Sequence, residues 1–175
     1  DKQGGERIES GEKGGAVMPR FFVDQPPEGQ VFLGGEDGRH LAKSLRVRPG
    51  EEVTLCDGRG ADALCKVLSI QGEGALLQVE KTSPSQGEPQ TKVTVCQCLC
   101  KGDKLETVTQ KAVELGAVEI WPLESARCVV KVDGKSAPKK VARLQKIARE
   151  AAMQSGRGVI PQVLAPASLK QALEE

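Results

Sequence analysis

Between Arg20 and Lys81, short apolar runs recur between turn signals: FFV at 21–23, QVFL at 30–33, EVTLC at 52–56, the stretch 63–70 and ALLQVE at 75–80. Pro-Gly at 49–50, DGRG at 57–60 and QGEG at 71–74 punctuate them, so each run reads as a strand closed by a turn. One helical pattern, from about Glu36 to Val47, interrupts the series. Five or so short strands with a single helix predict a closed or half-closed barrel, which protects its edges.

The pattern changes after TSPSQGEPQ, whose Pro, Gly and Ser content marks residues 83–90 as a linker. TKVTVCQCLC is an apolar strand. Asp103, with Glu106 three residues on, predicts a capping box opening a helix that stops at Gly116, and VEIWPL follows as a second strand. Strand, helix and strand make a βαβ unit, so this part is α/β with a parallel sheet. Ser136 and Pro138 open a further helix running to about Ser155 and ending at Gly156. Residues 160–164 suit another strand, and SLKQ at 168–171 reads as a capping box for a last helix. Residues 1–17, charged, glycine-rich and without periodicity, are expected to be a disordered extension. Domain bounds of 18–82 for the barrel and 91–175 for the α/β part follow.

The 175 residues carry a net charge of +1, so an anionic partner must be held by local clusters rather than by the field of the whole molecule. Arg39, Lys43 and Arg46 fall on one helical face with Leu41 and Leu45 turned away; Lys139, Lys140, Arg143, Lys146 and Arg149 crowd a second helix. Solubility and salt bridging are the plainer account of either cluster. Three Phe, one Trp and no Tyr leave no base-stacking platform, so nucleic acid would be met through phosphates and shape. The six cysteines contain no CxxC pair and His40 is the only histidine, which argues against zinc. Cys96, Cys98 and Cys100 alternate along one strand and are expected to be buried small hydrophobes, with a redox or soft-metal role as the alternative. Trp121 is expected in the core. No run has transmembrane length and no signal-peptide core opens the chain, so a cytoplasmic protein is expected.

Two stretches hold polar side chains at helical spacing. In KGDKLETVTQKAVELG, Lys111 and Glu114 share a face; in EAAMQSGR, Glu150, Gln154 and Arg157 follow i, i+4, i+7 and are expected to converge at a helix end. A surface ion pair explains the first equally well, and capping at a helix C-terminus the second. Arg20 could simply cover an edge strand. A dinucleotide-binding oxidoreductase is disfavoured because no GxGxxG follows the strand from Thr91.

In their order and spacing, MPRFFV, HLAKSLRVRPGEEV with the DGRG turn, KGDKLETVTQKAVELG, WPLESARCVVK and EAAMQSGRGVIPQV resemble the ribosomal RNA small subunit methyltransferase E family, from Met18 to the last residue. The resemblance implies a PUA-like RNA-binding barrel followed by the start of a SPOUT domain, an α/β fold with a C-terminal trefoil knot that dimerises through the active site. It implies methylation of N3 of one uridine in 16S rRNA, with S-adenosyl-L-methionine as donor, in ribosome biogenesis. Its cofactor loops have no counterpart here: DGRG and QGEG lie in hairpin turns, so the chain is expected to be an N-terminal fragment, inactive alone, with cofactor residues beyond Glu175. Uracil N3 carries a proton, so a base or a cation that steadies the anion is wanted, and the base must be unpaired or flipped out. Glu114, Glu150, Gln154 and Arg157 are the candidate catalytic residues. Arg20, Arg39, His40, Lys43, Arg46, Arg48, Lys101, Lys104 and Lys111 are the candidate RNA contacts, Lys101 also being able to steady the developing charge. A non-catalytic module that binds structured RNA is the alternative.

Overall fold

The computed structural model describes residues 18–131 and 136–174, so the segment 1–17 lies outside the described residues. The five apolar runs of the first part form strands β1 (Arg20–Phe22), β2 (Gln30–Leu33), β3 (Glu52–Cys56), β4 (Ala61–Gln71) and β5 (Gly74–Pro84). They make one sheet in the order β1-β3-β4-β5-β2. β4 and β5 are an antiparallel hairpin turning at Gly72, whose φ of +60° suits a residue without Cβ. Register shifts at Leu64/Cys65 and Val67/Ser69 bend this hairpin, and the sheet curls into a half-barrel. The alternating residues Ala63, Cys65 and Val67 face inward with Leu55, Ala75 and Leu77 to build the first core.

The helix expected near 36–47 is two shorter pieces, α1 (Gly35–Arg39) and a π-helical turn over His40–Ser44. Leu41 is fully buried while Leu45 is exposed. Arg46 then takes a left-handed φ of +54°, so it leaves the helix and does not share a face with Arg39 and Lys43 as the spacing had implied.

In the second part β6 (Thr94–Cys98) and β7 (Glu119–Glu124) pair in parallel, joined by α2 (Lys104–Glu114), which gives the expected βαβ unit. α3 (Ala137–Gln154) is followed by β8 (Gln162–Val163), β9 (Ala167–Ser168) and α4 (Leu169–Glu174); β8 and β9 both pair in parallel with β7. β7 is thus a central strand, yet it contains Pro122. That residue, with no N–H to give, stands opposite the break between β8 and β9, where Ile120 pairs with Val163 and Leu123 with Ala167. The core here is Leu105, Thr109 and Val113 of α2, one turn apart, against Ile120 and the apolar stripe Leu144, Ala148, Ala152 of α3. Among the described residues no helix is long and apolar enough to cross a membrane.

Three local expectations are corrected. Asp103 caps α2 with its backbone carbonyl, which accepts the N–H groups of Glu106 at 2.9 Å and Thr107 at 3.1 Å; no side-chain capping bond forms, because Glu106 instead pairs with Arg143 at 2.9 Å. Cys96 is exposed and Cys98 and Cys100 only half buried, Cys100 packing against the edge of the α/β core. Trp121, the register neighbour of Cys96, is half-buried on the sheet rather than in the core, and its ring N–H donates to the Ala165 carbonyl at 3.1 Å. The capping box at 168–171 does form: Gln171 N donates to Ser168 Oγ at 3.2 Å and Ser168 N to Gln171 Oε1 at 2.9 Å.

β1 joins the two parts. Because successive side chains on a strand point to opposite faces, Phe21 enters the barrel core and Phe22 the α/β core, while Met153 of α3 touches both.

Candidate RNA interface and interdomain cleft

The cations of the half-barrel are not equally free. Glu73, at the tip of the β4–β5 hairpin, accepts a hydrogen bond from Lys43 Nζ at 2.6 Å and forms an ion pair with Arg39, Nε to Oε2 3.5 Å. Hydrogen bonding to Lys43, with the charges of Lys43 and Arg39, holds its carboxyl below the usual value. Arg46 and Arg48 follow on the exposed turn after the π-helical segment and make no ion pair among the described residues. His40 is exposed, with its ring edge-on to Phe21 at 6.2 Å between centroids. Lys101 and Lys104 are exposed at the entry to α2.

Arg20 and Arg157, read from sequence as an RNA contact and a catalytic cation, are both engaged inside the protein. Arg20 Nη2 meets Asp62 Oδ1 at 2.5 Å and Ser85 Oγ at 3.2 Å, and its Nε donates to the Arg157 carbonyl at 3.2 Å. The Arg157 side chain is 3% exposed. Its Nη2 pairs with Glu88 Oε2 at 2.6 Å, and its Nη1 donates to the carbonyls of Val113, at 3.3 Å, and Ala117. Glu88 Oε1 also accepts the N–H groups of Gly158 and Val159, each at 3.0 Å. Burial alone would raise the Glu88 pKa, but the Arg157 hydrogen bond, the two N–H groups and the Arg157 charge outweigh it and hold the carboxyl below its ordinary value. The segment 85–88 is therefore pinned between half-barrel and α/β layer. Sequence reasoning missed Glu88 because it sits in a stretch whose composition reads only as linker; the one signal was a lone carboxylate between Gly87 and Pro89.

The expected convergence of Glu150, Gln154 and Arg157 is thus divided. Glu150 and Gln154, on one face of α3, line a cleft of about 440 Å³ between that helix and the half-barrel, with Glu36, Asp37, His40, Lys146 and Arg149. Both also line a second hollow of about 290 Å³ toward α2, with Asp103, Glu106 and Gln110. Arg157 lines neither, because past Gly156, at φ +74°, the chain turns away from the helix and carries its guanidinium inward. Arg149 closes the cleft floor: it donates to the Phe22 carbonyl at 2.9 Å, pairs with Asp37 at 3.1 Å and lies 5.7 Å from the Phe22 ring centroid. Glu114 stands apart at the end of α2, bonded to Lys111 at 2.7 Å and Gln110 at 2.9 Å. The Lys111 hydrogen bond outweighs desolvation and keeps its carboxyl below the usual value, which makes it a poorer proton acceptor.

A further pocket, of about 270 Å³, opens at the C-terminal ends of β6 and β7 and is lined by Lys101 and Arg127. Open α/β sheets bind ligands at that edge. Arg127 was not singled out from sequence, since WPLESARCVVK gives no periodic cue to where the strand ends.

Comparison with known proteins agrees with this architecture. Residues 87–175 match the family described as the RNA methyltransferase domain, and residues 33–80 match the RNA methyltransferase PUA domain. Ribosomal RNA small subunit methyltransferase E from Bacillus subtilis (strain 168) is 37% identical over 163 residues, which are 90% of this chain and 63% of that protein. The Mycobacterium tuberculosis protein of the same name is 37% identical over 149 residues, covering 84% of this chain and 56% of its own. Among solved structures, ribosomal RNA small subunit methyltransferase E from Neisseria gonorrhoeae, bound to S-adenosyl methionine, superposes with a TM-score of 0.80 at 33% identity, over 90% of this chain and 66% of that one. The chain thus spans less than two thirds of the length of these relatives. A domain match covering half of the sequence, joined to a matching PUA domain and to the same order of sheet, linker and βαβ unit, means that the chain belongs to the RNA methyltransferase family that includes the ribosomal RNA small subunit methyltransferases E.

Proposed function

We propose that the protein to which this stretch belongs methylates N3 of a uridine in 16S rRNA with S-adenosyl-L-methionine as donor, acting in the cytoplasm on the rRNA or the small subunit. The observation that carries the reading is an exposed cationic turn at Arg46 and Arg48 on the same half-barrel whose His40 helps line the polar cleft holding Glu150 and Gln154. In this reading the cations take RNA phosphates, and the cleft receives an extruded base whose edge bonds to the Gln154 amide. Glu150, 3.8 Å from Lys146, is the carboxylate placed to accept the N3 proton. Lys101, Lys104 and Lys111 extend the phosphate track along α2.

The glycine-rich turns at 57–60 and 71–74 belong to antiparallel hairpins rather than to strand-to-helix turns, and the two hollows that hold Glu150 and Gln154 are lined mainly by charged and amide side chains. When bound, the donor supplies an electrophilic methyl group; we place its site in the part of the relatives that this chain does not cover. Pairing of two copies through the α/β layer, where Leu115 stands 88% exposed, belongs to the same proposal.

The test is incubation of the full-length protein with 16S rRNA and S-adenosyl-L-methionine, followed by nucleoside mass spectrometry. N3-methyluridine, lost or strongly reduced in Glu150→Gln, is the expected product. Tight rRNA binding with no methylated nucleoside would overturn the enzymatic reading in favour of a non-catalytic RNA-binding module.

A further inference from the structure

β6 and β7 end side by side, with Cys98 in register with Leu123. Beyond β7 the chain turns back and brings Cys128 Sγ to 3.9 Å from the Leu123 carbonyl oxygen. The same sulfur accepts the Ser125 N–H at 3.3 Å and lies 3.3 Å from Ser125 Oγ. Cys98, paired in register with Leu123, stands beside it at the same strand ends. Cys98 and Cys128, both only partly buried, line the pocket of about 270 Å³ that Lys101 and Arg127 also line, so a small oxidant can approach the pair and two cations border the same space.

We infer that Cys98 and Cys128 are a modification site: exposed to a hydroperoxide, they close into a reversible disulfide across the ends of β6 and β7. The Cys128 thiolate attacks one peroxide oxygen and the O–O bond breaks, giving a sulfenic acid and water. The Cys98 sulfur then displaces that oxygen as a second water and forms the S–S bond. Two thiols and one hydrogen peroxide thus become one disulfide and two waters, and sulfur is oxidised while peroxide oxygen is reduced.

The remaining cysteines frame the choice. Hydrogen bonds from the Ser125 hydroxyl and then its N–H hold the Cys128 thiol below its ordinary value and favour the reactive thiolate. Burial pushes Cys56 up to about 12 and Cys65 to about 11, so both stay protonated and inert. Cys100 lines the same pocket and is the rival partner. The bond would tie the segment after β7 to the end of β6 and narrow the pocket.

Trypsin makes the test direct, because cleavage after Lys92, Lys101, Arg127 and Lys131 places Cys96, Cys98 and Cys100 on peptide 93–101 and Cys128 on peptide 128–131. The full chain is treated with hydrogen peroxide, alkylated, digested without reductant and analysed by mass spectrometry, beside Cys98→Ser, Cys100→Ser and Cys128→Ser. The expected result is a 93–101/128–131 cross-link that dithiothreitol releases, that fragmentation assigns to Cys98, that persists in Cys100→Ser and that disappears in the other two variants. A cross-link persisting in Cys98→Ser, or a Cys128 that remains alkylatable or proceeds to sulfinic acid in the wild type, would overturn the assignment.

Discussion

Removing the Glu88 carboxylate should leave the Arg157 guanidinium, 3% exposed, without a counter-charge, and Glu88→Gln is therefore expected to cost about 3 kcal/mol in a chemical denaturation curve. A Glu88→Gln variant as stable as wild type would contradict this role of the Arg157–Glu88 pair. The same pair sets a pH dependence. The folded Glu88 pKa lies below the ordinary 4.5, so its stabilisation is present above that value and fades as pH falls through the folded one. Acid melting curves should show Glu88→Gln losing less between about pH 5 and pH 3 than wild type does. Arg157 shows why single residues are the least legible level of a sequence. Its i, i+7 spacing from Glu150 was visible, but Gly156 ends the helix in between, and what a guanidinium does depends on which groups surround it. Cys96 and Trp121 misled for a related reason: an apolar strand predicts a buried face only where another layer covers it.

At the level of elements the sequence was more informative, because period 2 and period 3.6 are imposed by backbone geometry and survive tertiary context. The five strand runs, the βαβ unit, α3 and the Ser168–Gln171 capping box all form where the pattern placed them. The segment near 36–47 was legible as helical but not as a π-helical turn ending in a left-handed Arg46, since no composition rule marks a one-residue change in hydrogen-bond step. Where the linker lies against the end of α3, contacts are tight: a Cβ on Gly87 would stand 2.5 Å from the Gly156 carbonyl oxygen, which is backbone and cannot swing aside. Gly87→Ala should therefore lower stability by about 2 kcal/mol and loosen half-barrel from α/β layer, visible as faster hydrogen exchange in residues 85–88 and 156–159. Unchanged exchange there would mean the linker is not what holds the two parts. As a control remote from the joint, Leu144→Ala in the α3 core should cost about 3 kcal/mol in equilibrium unfolding, through cavity formation, without altering exchange at the linker.

Across the whole molecule, adjacent residues of one edge strand feed two cores, and three arginine contacts, Arg20 to the Arg157 carbonyl, Arg149 with Asp37 and Arg157 with Glu88, bind the parts on either side. This construction gives the proposed function its geometry: RNA gripped at the half-barrel is held at a fixed offset from the cleft of Glu150 and Gln154. Net charge near zero means that the grip depends on which cations are free, and Glu73 competes for Arg39 and Lys43 while Arg46 and Arg48 have no such rival. The most direct measurement is the salt dependence of binding to 16S rRNA, as log Kd against log salt concentration. Arg46→Ala and Arg48→Ala should each weaken binding and flatten the slope by roughly 0.7 to 0.9, and Glu73→Gln should tighten binding by releasing two cations. Slopes identical to wild type in both arginine variants, with Glu73→Gln unchanged, would contradict the account.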